Sequence, residues 1–432
     1  MQVPQGFRRS RDRKAFALGL GREIVLFTAF ILWIVHFCLF LADSPARTHP
    51  LGIIPFVLAP GLPPPCWISE TAQLERAADR LKDEPRFAVD SESNSLHAYP
   101  EHVCLVQISI PGADYLIDPL ALSDLGRLAP LLEDPGIEKV FHAVEYDLIC
   151  LKRDFGIRVS RLFDTRLAAR MLGRAKTGLG DLLAEEFGAH LDKRFQRANW
   201  GARPLPPDLL DYARMDTHYL LPLRDRLHDT LITAGLWDEA SELFQYFAGL
   251  QDREEEVEQE GFWRIANSRR LPPVKAGVLR ELYLLRERLA REWDRPPFKV
   301  IVDETLLAIA QAMPKGLPDL RALPGVTDHL VRRLGNPILG AVDLGRQSPP
   351  PPRPASTHAD QETISRYERL REWRKRAARK RLVDSDVILP REILWLIARQ
   401  APQDLQPLRD LMSPLNHRFQ AYGREIMEVL QQ

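Results

Sequence analysis

The 432-residue sequence predicts an α/β domain over residues 66–250, followed by two copies of one small all-α domain over 263–345 and 359–432. Three observations carry this. Between Trp67 and Leu250, short apolar runs with β-branched residues alternate with helical periodicities. After Gln251 no strand signal returns, and helical patterns are separated by Pro-marked loops. Finally, residues 306–323 align without gaps to residues 394–411 with eight identities in eighteen positions, including Pro314 with Pro402 and Arg321 with Arg409. Average residue usage would give about one such identity.

The chain starts with a tail, residues 1–65, that has no packing pattern. Residues 1–22 carry six basic and one acidic side chain, and residues 24–42 (IVLFTAFILWIVHFCLFLA) are apolar at the lower limit for a bilayer span. Three readings stay open here: a single-pass anchor, a cleaved signal peptide, or a start placed too early, with the native chain beginning near residue 60. The basic flank would send everything downstream across the membrane, which conflicts with an intracellular setting for the rest of the chain. A Pro-rich linker ends in Pro63-Pro64-Pro65.

From Trp67 the pattern is ordered. Ser69 is expected to cap a helix with Leu74, Ala77, Ala78 and Leu81 on its buried face. Phe87–Val89 and Val103–Ile110 read as strands around a polar turn, Gly112 turns the chain, and Tyr115–Asp118 reads as a third strand. A helix is expected over Leu120–Leu132, and a buried strand over Lys139–His142. The next helix carries the stripe Val144, Leu148, Leu151 and Phe155, with Asp147 on the same face. Asp164 is expected to cap a short helix over 164–172, and Leu179–Phe187 forms another that stops at Gly188. Pro207 and Asp208 start a helix with Leu209, Ala213, Leu220, Leu223 and Leu227 inward, which Pro222 should kink or restart. Residues 251–262 are an acidic connector, and residues 346–358 hold a stiff polyproline spacer.

Charge and chemistry are unevenly spread. The net charge is zero, but residues 353–432 carry fifteen basic and eleven acidic side chains, so the middle of the chain is net negative. Cys38, Cys66, Cys104 and Cys150 lie far apart with no Cys-x-x-Cys, which argues against zinc and for free thiols in a reducing, cytoplasmic setting. Four acidic residues stand out. Asp90 and Glu92 lie two apart at a strand end and so point the same way. Asp147 and Asp216 lie on core-facing helical stripes, where an unpaired carboxylate is costly. Each alone has an ordinary reading, as a solvated strand end or a buried turn cap. Together they suit two shared divalent cations, Mg²⁺ or Mn²⁺ rather than zinc, about 4 Å apart and clamping both oxygens of a phosphodiester. Tyr212, one turn before Asp216, could aim the attacking water. Lys193, Arg194, Arg197 and Arg203 interleave with Phe195 and Trp200, a pattern that suits single-stranded nucleic acid. A basic helix over 366–381, including Arg374 and Lys375, suits phosphate backbones. Ordinary solvated faces are the competing reading of both stretches.

Asp-x-Glu at 90–92, Asp147 in HAVEYDL, and Tyr-x-x-x-Asp at 212–216 resemble the three exonuclease motifs of the DEDD superfamily, tyrosine branch. DSESNSLHAY, HAVEYDL and YARMDTHYLLPL are similar to ribonuclease D in particular, and the repeated module is similar to the HRDC domain. The resemblance spans residues 66–432. It implies a ribonuclease H-like core, a mixed sheet flanked by helices, followed by two HRDC-like domains. It also implies a monomeric 3′–5′ exoribonuclease that trims RNA 3′ ends, tRNA precursors being the usual substrate, with Asp90, Glu92, Asp147, Tyr212 and Asp216 catalytic. Ser91 stands where that family has Thr, and residues 1–65 have no counterpart in it. A DNA exonuclease of the same fold and an idle RNA-binding scaffold are the rival readings.

Overall fold

The computed structural model describes residues 62–250, 258–353 and 360–432. The apolar segment 24–42, most of the acidic connector and the end of the spacer lie outside the described residues. Among the described residues, no helix is long and apolar enough to cross a membrane.

Six strands form one mixed sheet: β1 (Cys66–Ile68), β2 (Arg86–Ser93), β3 (Val103–Ile110), β4 (Ala113–Ile117), β5 (Glu138–Phe141) and β6 (Leu162–Asp164), in the order β1-β4-β3-β2-β5-β6. β2, β3 and β4 form an antiparallel meander, whereas β1, β5 and β6 are added in parallel through helical crossovers. All eight residues of β3 are buried, as expected for a strand covered on both faces.

Helices α1 (Thr71–Lys82), α2 (Ala129–Glu133), α3 (Glu145–Phe155), α4 (Thr165–Met171), α5 (Leu179–Phe187), α6 (Pro207–His218), α7 (Leu220–Thr233) and α8 (Trp237–Gly249) cover the sheet. Their termini follow local chemistry. Gly156 and Gly188 take left-handed φ values of 68° and 65° to close α3 and α5. The α6 register breaks at Tyr219, so that Pro222 falls in the first turn of α7, where its missing N–H costs nothing. Two expectations need correction. The cap of α1 is Glu70, not Ser69; the Gln73 side chain accepts from the backbone N–H of both. The helix expected over 120–132 shrinks to α2. Asp118 and Asp124 accept from backbone N–H groups two residues on, of Leu120 and Gly126, and these Asx turns compete with helix.

The two repeats are the same five-helix unit. α9 (Pro273–Glu292), α10 (Pro297–Val300), α11 (Asp303–Ala312), α12 (Leu317–Arg321) and α13 (Asp328–Gln347) each begin 88 residues before α14 (Gln361–Arg381), α15 (Ser385–Ile388), α16 (Arg391–Gln400), α17 (Leu405–Met412) and α18 (Asn416–Leu430). The equivalence extends to backbone detail. Met313 and Ala401, 88 apart, end α11 and α16 in the left-handed region.

The two copies meet the rest of the chain differently. The first has its own core, built around Leu279, Leu282, Ile309, Leu334 and Ile338. It touches the loop after β2 through the Tyr99 ring, which packs against that core, and through polar contacts: Tyr99 N–H donates to Asp294 at 3.0 Å, and Lys299 to the Leu96 carbonyl at 2.5 Å. The second shares one continuous apolar core with the sheet, α7 and α8. Arg418, fully buried, donates to Glu242 at 2.7 Å and to the Val387 carbonyl, while Glu242 also accepts the His417 N–H.

Candidate active site

The site forms where the sheet opens. β2 pairs with β5 only from Arg86 to Ala88, whereas its pairing with β3 continues past Asp90 and Glu92. The β5 side of β2 is therefore free at the two carboxylates. β5 ends at Phe141, and the chain turns sharply through Ala143, at a left-handed φ of 67°, into α3. That conformation is unusual for a residue with a Cβ. Asp164 holds it: one carboxylate oxygen accepts from the Val144 N–H at 2.8 Å, and the other accepts from the Arg166 and Leu167 N–H groups. Asp164 thus caps α4, as its position in the sequence predicts, and also fixes the turn that delivers Asp147.

Asp90, Glu92 and Asp216 each present a carboxylate oxygen, all within 4.8 Å of one another. Asp216 is buried, and Asp90 and Glu92 are half-buried. Asp147 is buried beside them, and its Oδ1 accepts the Ser91 hydroxyl at 2.5 Å. Burial, with the charges of Asp147, Asp216 and Glu92, holds the Asp90 carboxyl well above the usual carboxylate range. Burial and the charges of Asp216 and Asp147 do the same to Glu92. Burial pushes Asp147 up to about 7, against the pull of the Ser91 hydrogen bond, and burial plus Asp147 pushes Asp216 to about 8. Among the described residues no cation pairs with Asp90, Glu92 or Asp216. An all-carboxylate set that resists ionisation is what a hard divalent cation fits, since its charge removes the repulsion.

Tyr212 and Asp216 lie one turn apart on the buried face of α6. Tyr212 packs against Phe195 and Trp200, with ring centroids 5.6 and 6.2 Å away. Burial and the neighbouring carboxylates push its hydroxyl above the ordinary value, so it stays protonated at neutral pH. The cleft, about 410 Å³, is lined by Asp90, Glu92, His142, Gln196, Tyr212 and Asp216. His142 and Gln196 were not anticipated. His142 bonds the Thr165 hydroxyl at 2.9 Å, and burial drives its pKa down to about 4, so it is neutral. Its place at the end of a buried strand, just before the Asp147 helix, was the available signal.

The expected nucleic-acid contacts divide. Arg197 is exposed beside the cleft, and Arg194 is exposed but clamps Asp192 at 2.5 Å. The Lys193 side chain lies outside the described residues. Trp200 is 2% exposed and covered by Tyr212, so it has no face to offer a base. Arg203 is taken up by Asp118, at 2.6 and 2.8 Å, and by the carbonyls of Cys104 and Trp200. Arg374 is buried and donates to the Leu389 carbonyl, just as its repeat equivalent Arg286 donates to the Ile301 carbonyl. It is a structural residue of the helical unit. Lys375 is partly exposed and bonds Glu372 one turn away.

Comparison with known proteins places this geometry. Residues 65–232 match the 3′–5′ exonuclease family model, and residues 275–342 and 364–430 each match the HRDC domain. The chain is 34% identical over 294 residues to ribonuclease D of Gluconacetobacter diazotrophicus, covering 67% of this chain and 74% of that one. It is 35% identical over 282 residues to the exosome complex exonuclease RRP6 of Saccharomyces cerevisiae, covering 62% of this chain and 38% of that one. It spans less than half the length of the RRP6-type relatives it matches. The crystal structure of Escherichia coli RNase D, an exoribonuclease involved in structured RNA processing, superposes with a TM-score of 0.66 at 25% identity, covering 85% of this chain and 98% of that one. The catalytic core of RRP6 from Trypanosoma brucei superposes at 0.56 and 26%, covering 67% and 82%. With the motif residues gathered at one cleft and both helical repeats matched, the chain belongs to the ribonuclease D family of 3′–5′ exonucleases.

Proposed function

We propose that the chain is a divalent-metal-dependent exoribonuclease that removes nucleotides one at a time from RNA 3′ ends, tRNA precursors among them. The observation that carries this is the three carboxylates within 4.8 Å at one cleft, with no cationic partner among the described residues. Asp90, Glu92 and Asp216 would hold the cations, with Asp147 completing the set from the α3 side. Bound there, Mg²⁺ or Mn²⁺ would supply Lewis-acid charge stabilisation for phosphodiester hydrolysis. The protein groups do the rest. Tyr212 keeps its proton and hydrogen-bonds the attacking water, aiming it at the terminal phosphodiester. Neutral His142 and Gln196 line the cleft, where they would meet the substrate. Exposed Arg197, next to the cleft-lining Gln196 in the chain, would offer its charge to RNA phosphates. The RNA reading is supported by the ribonuclease D and RRP6 relatives.

The test uses end-labelled RNA and matched DNA, each with and without Mg²⁺ or Mn²⁺. The expected result is a ladder shortening from the 3′ end of RNA only with metal. Asp90→Asn should abolish turnover while RNA binding persists. Intact RNA in the presence of either ion, or near-wild-type turnover by Asp90→Asn, overturns the proposal. Equal degradation of DNA would move it to the DNA exonuclease of the same fold.

A further inference from the structure

Gln107 is fully buried, and neither its Oε1 nor its Nε2 has a hydrogen-bond partner among the described residues. Two orphaned polar groups of an amide are expensive, about 1–3 kcal/mol each. The surrounding strand, VCLVQISI, is otherwise apolar apart from Ser109, whose hydroxyl is taken by Asp114 and Thr217 at 2.7 Å each. An apolar side chain of the same length would fit the strand at no such cost.

The register shows what the amide lies against. Gln107 is directly opposite Asp90 in the antiparallel β2–β3 pair, and Glu92 is opposite Leu105. Opposed residues share a face, with Cβ atoms about 4.5–5.5 Å apart. Leu116 of β4 flanks Gln107 on its other side. Over that face lies α6: Leu105 and Leu116 pack with Tyr212 and Ala213. The Gln107 amide is thus enclosed between the strand that carries Asp90 and Glu92 and the helix that carries Tyr212 and Asp216. The two flanking β3 positions on this face are either apolar or already hydrogen-bonded, and the residue directly opposite Gln107 on the neighbouring strand is Asp90, whose carboxylate is a hydrogen-bond acceptor.

We propose that Gln107 is a positioning residue of the metal site: in the cation-loaded protein its amide donates a hydrogen bond to the Asp90 carboxylate and fixes which oxygen faces the cation. This rests on the nuclease reading above. Ligating carboxylates are commonly held in this way, and loss of such a partner typically costs 10- to 100-fold in metal affinity. The orphaned Nε2 is then a cost of the cation-free protein that is removed when the ligand set is charged and ordered.

The test is a Mn²⁺ titration, by calorimetry and electron paramagnetic resonance, of the full chain and of Gln107→Met, which keeps length and removes both polar atoms. The expected result has two parts. Without metal, the Gln107→Met thermal midpoint equals or exceeds that of the wild type, because the orphaned groups are gone. With metal, its Mn²⁺ Kd rises at least about 10-fold, and kcat falls while KM for RNA stays. A folded Gln107→Met whose Kd lies within about threefold of wild type overturns the role of Gln107, since the expected loss is at least about 10-fold. Should that variant fail to fold, Gln107→Asn, an amide one methylene short, decides by the same thresholds. A wild-type chain that takes up no Mn²⁺ overturns the nuclease reading and this inference together; a wild type that binds, with variants that match it, overturns only the inference.

Discussion

Asp216→Asn should stabilise the metal-free protein at neutral pH while destroying the proposed activity. The cause is repulsion. Two ionised carboxylates within 4.8 Å of each other repel by at least about 3.5 kcal/mol at an effective dielectric of about 20. Three such pairs would cost about 10 kcal/mol, so the cluster takes up protons instead. A carboxyl whose folded pKa lies above its unfolded value binds more protons when folded. Stability is then highest below the unfolded pKa and falls as pH rises through the folded one. For Asp216 the window runs from 3.8 to about 8. Holding its proton at pH 7 costs roughly 4 kcal/mol, at about 1.36 kcal/mol per pH unit. Sharing of protons across the cluster lowers the expected gain for Asp216→Asn to about 2–4 kcal/mol at pH 7 and to almost nothing at pH 4. Thermal unfolding in chelator at pH 4.5 and 7.5 reads it directly, as several degrees at the higher pH alone. Mg²⁺ should restore the wild type by about 2.7 kcal/mol at 100 times its Kd and restore the variant less. A variant that is less stable than wild type at pH 7.5 in chelator, or that gains equally at both pH values, refutes the repulsion argument.

Tyr212→Phe keeps the packing against Phe195 and Trp200 and loses only the hydroxyl. A drop in kcat of about 10- to 100-fold with little change in KM is expected, the size of a misaimed nucleophile; a pure KM effect would reassign Tyr212 to binding. Trp200→Ala should cost about 3–5 kcal/mol in stability, as large core truncations do, measured by urea unfolding; a loss of RNA affinity at unchanged stability would restore its reading as a base-stacking residue. Glu242→Gln leaves Arg418 buried with only the Glu239 carboxylate, 3.6 Å away, and should loosen the second helical unit by about 1.5–3 kcal/mol. Limited proteolysis should then cut the polyproline spacer faster than in the wild type, and an unchanged cutting rate would show that the shared apolar core alone holds the unit.

Much of the site was legible because its signals are local. Strand alternation puts Asp90 and Glu92 on one side whatever the fold around them, and helical spacing does the same for Tyr212 and Asp216. The repeat offset of 88 carries over into every helix start of the second unit. The Asp164 cap and the Gly156 and Gly188 stops need only their neighbours in the chain.

What the chain alone left undecided depends on partners far away in sequence. The basic-aromatic stretch looked uniform, yet the fold buries Trp200, ties Arg203 to Asp118, and leaves Arg194 and Arg197 exposed. Arg203 finds Asp118, 85 residues away, and Arg374 finds a carbonyl across its own helical unit. The same holds for the Ser91 hydroxyl that meets Asp147, the second repeat that fuses its core to the sheet while the first keeps its own, and the orphaned Gln107 amide. Periodicity fixes which face a residue occupies, because backbone geometry repeats over a few residues. Whether that face meets water, a counter-charge or a cation is set by elements that come together only in the folded chain.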